Sequence, residues 1–222
     1  MAAKKEKKQY ETFTSPKGTA VWPHLNAPDT QYKDEGEYHV KLALDPAKDP
    51  KVQPFLDELQ ARFDTYVDEV KAEVGAAKAK KLKFNEPFTA ELDDEGEETG
   101  KVLVKFKMKA QYKAKDGTTK TNKPRFFDAR GNPVANPATI GNGSILRISY
   151  GIAGYSTPQG TGISLYLNAV QIVELVEYTG TGGSAQSYGF EAEEDGYQSP
   201  AADAGFPEAG DDETEDTSGD DF

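Results

Sequence analysis

KVLVKFKMKAQYK, residues Lys101–Lys113, alternates along almost its whole length. Val102, Val104, Phe106, Met108, Ala110 and Tyr112 fall on one side. Lys101, Lys105, Lys107, Lys109 and Lys113 fall on the other, with Leu103 as the exception. Successive side chains of a strand point to opposite faces, so the stretch predicts a β-strand with an apolar face and a lysine face. Ammonium groups in a row on a rigid strand repel one another unless an anion lies across them. A solvated face, or an edge strand that uses lysine against aggregation, accounts for the same pattern. The surroundings choose between these readings.

The chain has 222 residues, 36% of them hydrophobic and 29% charged, with a formal net charge of −12. That total argues against a nucleic-acid partner, but the charge is segregated. All 26 Lys and Arg residues lie in 1–147, and thirteen of the 38 acidic residues lie in 191–222. Residues 1–177 hold 26 basic against 25 acidic groups, a balance of +1, and residues 101–147 hold eleven basic groups against Asp116 and Asp128, a balance of +9. A positive block and a wholly negative tail in one chain point to a nucleic-acid surface plus an interaction tail. The absence of cysteine excludes disulfides, thiol catalysis and cysteine zinc sites, and suits a reducing cytoplasm. The basic N-terminus, MAAKKEKKQYETF, has no apolar run behind it, and no stretch approaches a membrane span in length. A soluble cytoplasmic protein with no membrane partner is expected.

Taken in order, residues 1–12 read as a flexible basic arm in which Lys4, Lys5, Lys7 and Lys8 reach phosphates or merely aid solubility. Phe13 to Trp22 predicts an entering strand broken at Ser15-Pro16 and Lys17-Gly18. Trp22-Pro23-His24 and Asn26-Ala27-Pro28-Asp29 read as loops. Trp22 is either a core anchor or a platform for a base. EYHVKLALD (Glu37–Asp45) predicts a second alternating strand. Asp49-Pro50 opens a helix over about 50–74, with Phe55, Leu59, Phe63, Tyr66, Val67, Val70 and Val74 on its apolar face. Ala76 to Lys83 is a basic continuation or linker, and Glu86 to Leu92 a short strand. The acidic tip Asp93–Glu98 is a hairpin turn, because consecutive carboxylates lack the spacing of a calcium loop.

After the lysine strand, Lys115-Asp116-Gly117 predicts a hairpin. The returning stretch TTKTNKPRFFD sets Lys123 and Arg125 beside Phe126 and Phe127. Cations for phosphates and rings for unstacked bases are what a single strand needs, and one of the two phenylalanines points inward. Ile145–Gly151 predicts a strand with Leu146, Ile148 and Tyr150 opposite Arg147. Tyr155 lies in a Gly/Ser/Pro-rich stretch, GYSTPQGTG, that reads as a mobile loop, so its ring suits stacking better than a core. ISLYLNAVQIVELVEY, ending at Tyr178, predicts the last strand, with a change of phase near Ala169-Val170 that marks a bulge.

Strands joined by hairpins around one inserted helix predict a mainly β fold: an OB-type antiparallel barrel over 13–180, with a β-sandwich as the alternative. Residues 181–222 hold no cation and no apolar periodicity, and predict a disordered acidic tail ending in Asp220, Asp221 and Phe222. Phosphates are expected along the lysine strand, Lys101 to Lys113, and its partner, with Tyr155 as the main stacking ring, helped by Tyr112, Tyr150 and one phenylalanine. No catalytic residue, cofactor or metal is expected, since His24 and His39 are the only histidines and no phosphate-binding loop occurs. Two other classes fit less well: a metal nuclease built on Asp93, Asp94 and Glu97, and a scaffolding protein acting through its tail.

Several segments together resemble the single-stranded DNA-binding proteins of short-tailed phages that encode their own replication machinery. They are Gly36–Leu42 (GEYHVKL), Lys48-Asp49-Pro50, Lys105-Phe106-Lys107, Ile140–Ser144 (IGNGS), Leu165-Tyr166-Leu167, Val173-Glu174-Leu175 and the terminal Gly219–Phe222 (GDDF). The likeness spans roughly 10–222. It implies an OB fold, sequence-tolerant binding of single strands in replication and recombination, a dimer that aids annealing, and a tail that recruits the DNA polymerase and helicase-primase in the host cytoplasm. It carries the basic-strand role onto Lys105, Lys107 and Lys109 and the aromatic role onto Tyr155. Lys33-Asp34-Glu35 departs from it, being acidic where an arginine is expected.

Overall fold

Alternating segments become strands here because each buries one face on a shared core. The structure, a computed structural model, describes residues 11–31, 34–114 and 117–178. The order is β1 (Phe13–Thr14), β2 (Gly18–Asp29), β3 (Glu37–Leu44), α1 (Val52–Val74), α2 (Ala76–Ala79), β4 (Phe88–Leu92), β5 (Glu98–Lys109), β6 (Gln111–Lys113), β7 (Thr119–Thr121), β8 (Arg125–Phe127), β9 (Pro133–Val134), β10 (Ile145–Thr157) and β11 (Gly160–Glu174). Residues 1–10 of the predicted basic arm, Lys33, Lys115, Asp116 and the acidic tail with Asp220, Asp221 and Phe222 lie outside the described residues. Among the described residues no helix is long and apolar enough to cross a membrane.

The pairings make a closed circuit. β2 pairs with β3, β3 with β5, β5 with β11, β11 with β10, and β10 with β2 again. Five strands in that order form the barrel of an OB fold. The expectation of an antiparallel barrel holds for four of the five pairs, while β5 and β11 close the circuit as a parallel pair. The interior is filled by the inward set of each strand: Val40, Leu42 and Leu44; Val104 and Phe106; Leu146, Ile148 and Tyr150; Leu165, Leu167 and Val170. All are buried, and the apolar face read from Val102–Met108 is the face that meets them.

The inserted helix follows β3. The helix begins at Val52 with Lys51 as its N-cap, two residues later than the expected start at Asp49-Pro50. Asp49 Oδ1 accepts the Lys51 N–H at 2.9 Å and its carbonyl accepts that of Val52 at 3.0 Å in the turn leading in. Val52, Leu56 and Leu59 join the barrel core. Phe63 and Val67 pack with Ile163 in a second cluster flanked by Tyr66, Phe84 and Ile152. Gly154 permits this, because a Cβ there would run into the Tyr66 ring.

Four expectations change. The lysine stretch is not one strand: Ala110, 6% exposed, donates to Gly36 O and accepts from Asn122 N, and the chain leaves the barrel there to form the β6–β7 hairpin. The loops expected at Trp22–His24 and Asn26–Asp29 are part of β2, which stays in the ladder by bulging. Trp22 is 66% exposed, which removes the core-anchor reading. Tyr155 stands on β10, in a long hairpin with β11, because glycines on both strands let Tyr66 and Asn85 approach closely. The bulge expected near Ala169 is present: Ser149 pairs with Ala169 but Tyr150 with Leu167, leaving Asn168 over.

Phe106 touches the strands on both sides of the closing pair and stacks edge-on to Tyr150 at 5.2 Å. Phe106→Ala should cost about 3–5 kcal/mol, the usual cost of emptying a filled aromatic position. Urea denaturation measures it, and a loss near zero would mean that the barrel does not depend on this position.

Candidate nucleic-acid interface

Alternation sends the odd-numbered residues of β5 outward. The register then aligns Lys105 with Lys41, Lys107 with His39 and Lys109 with Glu37 on β3, and Lys107 with Tyr166 on β11. The row is therefore cationic but internally countered. Lys101 Nζ lies 3.2 Å from Glu91, Lys105 Nζ 3.3 Å from Glu37, and Lys109 Nζ 3.3 Å from Glu35. These carboxylates are the anions that an unrelieved lysine row requires. The lysine side chains stay 39–58% exposed, whereas those of Glu37 and Glu91 are only 12% and 19% exposed, so only the Lys109–Glu35 pair is a fully exposed one, worth about 0–1 kcal/mol.

Lys107 Nζ sits over the ring of Tyr155 at 5.6 Å. The pairing is set by three elements. β5 presents Lys107, β10 presents Tyr155, and residues 83–85 run beside β11, held by Thr161 N–H to Lys83 O and Asn85 N–H to Thr161 O. Asn85 Nδ2 donates to Tyr155 Oη at 3.1 Å, which anchors the hydroxyl end of the side chain. Tyr155 thus gains its orientation from a strand and a hydrogen bond, where a mobile loop was expected.

Tyr112 and Lys109 also meet. With Met108, Asn122, Tyr166, Leu167 and Asn168 they line an open groove of about 430 Å³. Tyr166, 42% exposed, is a ring that sequence reasoning left out. Its signal was present, since Tyr166 is out of step with the buried Leu165 and Leu167 on either side. Lys113 lies on the β6 hairpin, exposed and off the barrel.

The remaining candidates divide. On β8 Arg125 is exposed, Phe126 is 4% exposed and packs inward opposite Val170, and Phe127 faces outward opposite Gln171. Phe127 is therefore the accessible phenylalanine and Phe126 a core residue. Lys123 is exposed just before them. Arg147 is half-buried opposite Gln171, and its Nε is buried without a partner. Tyr150 must be withdrawn as a stacking residue: it is 2% exposed and its ring meets Phe13, Phe55 and Phe106. Burial pushes its hydroxyl up to about 12. Burial also pushes the His39 imidazole below its ordinary value, with Asp29 opposing and Lys105 adding to the effect. The tip residue Asp93 turns its carboxylate onto the N–H groups of Glu95 and Glu97, closing the β4–β5 hairpin.

A five-stranded barrel with lysines and tyrosines together on its outer face defines an OB-fold protein of the nucleic-acid-binding class. Comparison with known proteins gives the family. The profile of the family described as "Single-stranded DNA-binding protein, Bacteriophage T7" matches residues 17–175. The single-stranded DNA-binding protein of Escherichia phage T7 is 29% identical over 199 residues, covering 83% of this chain and 84% of that protein. That of Enterobacteria phage T3 is 28% identical over 201 residues, covering 84% and 85%. The crystal structure of the bacteriophage T7 single-stranded DNA-binding protein superposes with a TM-score of 0.65 at 28% identity, covering 86% of this chain and all of that one. The chain belongs to the bacteriophage T7 single-stranded DNA-binding protein family.

The two tyrosines of β10 should behave oppositely. Tyr150→Ala should lower stability by about 3–5 kcal/mol, as a core deletion. Tyr155→Ala, at a partly buried ring, should cost less, about 1–2 kcal/mol for one hydrogen bond and part of the ring's contacts. Parallel urea titrations compare them, and equal costs would contradict the assignment of one to the core and the other to the surface.

Proposed function

We infer that this chain is a sequence-nonspecific single-stranded DNA-binding protein of phage DNA replication and recombination, acting in the host cytoplasm. The observation that carries this is the meeting of Lys107 and Tyr155 on the outside of an OB barrel, in a family named for single-stranded DNA binding. Phosphates run along Lys101, Lys105, Lys107 and Lys109, displacing Glu91, Glu37 and Glu35 from their ammonium groups. Bases stack on Tyr155 and Tyr166, with Tyr112 at the edge of the groove. Lys113, Lys123, Arg125, Phe127 and Arg147 extend the track. Stacking tolerates any base and is worth roughly 1–3 kcal/mol each. The protein works by binding, with no catalytic step, so labelled single strand incubated with Mg²⁺ stays intact.

Three regions divide the work. Residues 13–180 are the DNA-binding domain and 1–12 a basic arm. Residues 181–222 are an acidic tail whose Asp220, Asp221 and Phe222 engage the replication polymerase and helicase-primase. The tail also competes for the cationic face when DNA is absent, and the domain pairs as a homodimer. Charge segregation supports the tail's role: a polyanion without a single cation is tethered to a +9 block.

Fluorescence titration with an oligonucleotide tests the interface. Tyr155→Ala and Tyr166→Ala should each weaken binding about 5- to 150-fold, and Tyr178→Ala should change it little. Uniform losses at all three would remove the stacking assignment. The affinity should fall with salt at a log–log slope of about −0.7 per phosphate neutralised. Glu35→Gln with Glu37→Gln should tighten binding by releasing Lys109 and Lys105, whereas weaker binding would mean that the carboxylates hold the lysines in place for DNA. Deleting 191–222 should tighten DNA binding and abolish polymerase recruitment.

A further inference from the structure

Two histidines and an aspartate converge on the strand face at a place the DNA-binding reading leaves unused. The cause is a doubly bulged β2. Between the pairs Val21–Lys41 and His24–His39 it takes three residue steps against two on β3, and between His24–His39 and Asp29–Glu37 it takes five against two. The first excess is absorbed at Trp22, a non-glycine residue with φ 50°, whose N–H donates to Asn142 Oδ1 at 2.6 Å. The second drops Leu25 into the core and brings Asp29 back over His39. His24 and His39 thereby become cross-strand partners with ring centroids 4.8 Å apart. One donor atom from each of His24, Asp29 and His39 lies within 4.8 Å of the other two, and among the described residues this is the one such trio of potential metal ligands.

The distances suit ligation as well as the long hydrogen bond between His39 and Asp29. His39 Nε2 and Asp29 Oδ2 are 3.4 Å apart. That is long for an N–H···O bond, usually about 2.7–3.2 Å. A tetrahedral ion bound at about 2.0–2.1 Å sets neighbouring donors about 3.3 Å apart. One edge of such a site is thus already in place, and the exposed His24 completes it by rotating its ring. Two imidazoles and a carboxylate suit zinc with one position left over.

We propose that His24, His39 and Asp29 bind one divalent ion of the zinc type on the strand face, and that its fourth position accepts water or a phosphate oxygen of a bound strand. His39 pairs in register with Lys107, so the ion lies one strand from the lysine row. The metal half of this proposal stands alone, and the phosphate half rests on the DNA-binding reading. Untagged full-length protein, stripped with a chelator and free of DNA, is titrated with Zn²⁺ by calorimetry and with Co²⁺ by visible absorption. One ion per chain and a tetrahedral Co²⁺ spectrum are expected. His24→Ala, at an exposed position, and Asp29→Asn should each weaken binding at least about 10-fold with unchanged circular dichroism. No saturable binding, or binding that survives both substitutions, overturns the site. A second arm measures oligothymidylate affinity with Zn²⁺ against chelator. Zn²⁺ should tighten it in the parent protein but not in His24→Ala, and equal affinities overturn the phosphate half. A chain that binds no oligonucleotide in either condition sinks the DNA-binding reading, while the calorimetry still decides the metal site.

Discussion

The parallel pairing of β5 with β11, at Leu165–Phe106 and Tyr166–Lys107, is the constraint on which the rest depends. Without it the strands form an open sheet whose free edge includes Lys105–Lys109 of β5, beyond the part that β4 covers. With it the inward residues share one core, and the outward residues of β3, β5 and β11 become a continuous strip. The two sides are inseparable, because successive residues of a strand face opposite ways. Burying Phe106 is what aims Lys105 and Lys107 at solvent. A slip of one residue would bury ammonium groups and expose the core, so the hydrophobic register also fixes the charge register.

Rigid presentation matters for the rings too. Tyr155 is held by Asn85, and Asn85 by a segment pinned to Thr161. A ring already fixed on a strand loses little side-chain freedom when a base stacks on it, whereas a ring on a loose loop would have to be ordered first. The helix contributes at a distance: Phe63, Val67 and Tyr66 pack beside the β10–β11 hairpin that bears Tyr155. Core packing, hairpin position and ring orientation form one chain of causes.

Much of this was legible in the sequence where a period of two or 3.6 runs unbroken. β3, the inner face of β5, α1 and the bulge at Asn168 follow from alternation and spacing alone. The losses have a common cause: proline, glycine and asparagine weaken local strand preference, and distant contacts override it. β2 carries Pro23 and Pro28 and looks like loop, yet hydrogen bonds from Trp22 to Asn142 and from Asn26 to Pro137, more than a hundred residues away in sequence, anchor it to the segment before β10. The glycines around Tyr155 read as a mobile loop, but they are there to admit Tyr66 and Asn85. Tyr150 and Tyr155 are the same residue type on one strand, and only the positions of Phe13, Phe55 and Phe106 tell them apart. His24 and His39 are fifteen residues apart, and no local pattern reveals that a bulge makes them neighbours.

The charge pattern of the face carries a last consequence. A bare lysine row would be costly to fold and would hold any polyanion, including this chain's own tail. Glu35, Glu37 and Glu91 relieve that cost in shallow pairs whose lysine side chains, 39–58% exposed, remain open to water and salt. On the proposed function, a phosphate arriving at Lys109 would replace a pair worth about 0–1 kcal/mol and release condensed counterions from the strand. Displacing such a pair costs little, and on that reading affinity is the sum of many exchanges together with stacked bases. A surface built from weak, replaceable contacts grips a long strand through their number, yet each contact can be undone singly. On the proposed function, such a face would let a strand be held and then released contact by contact.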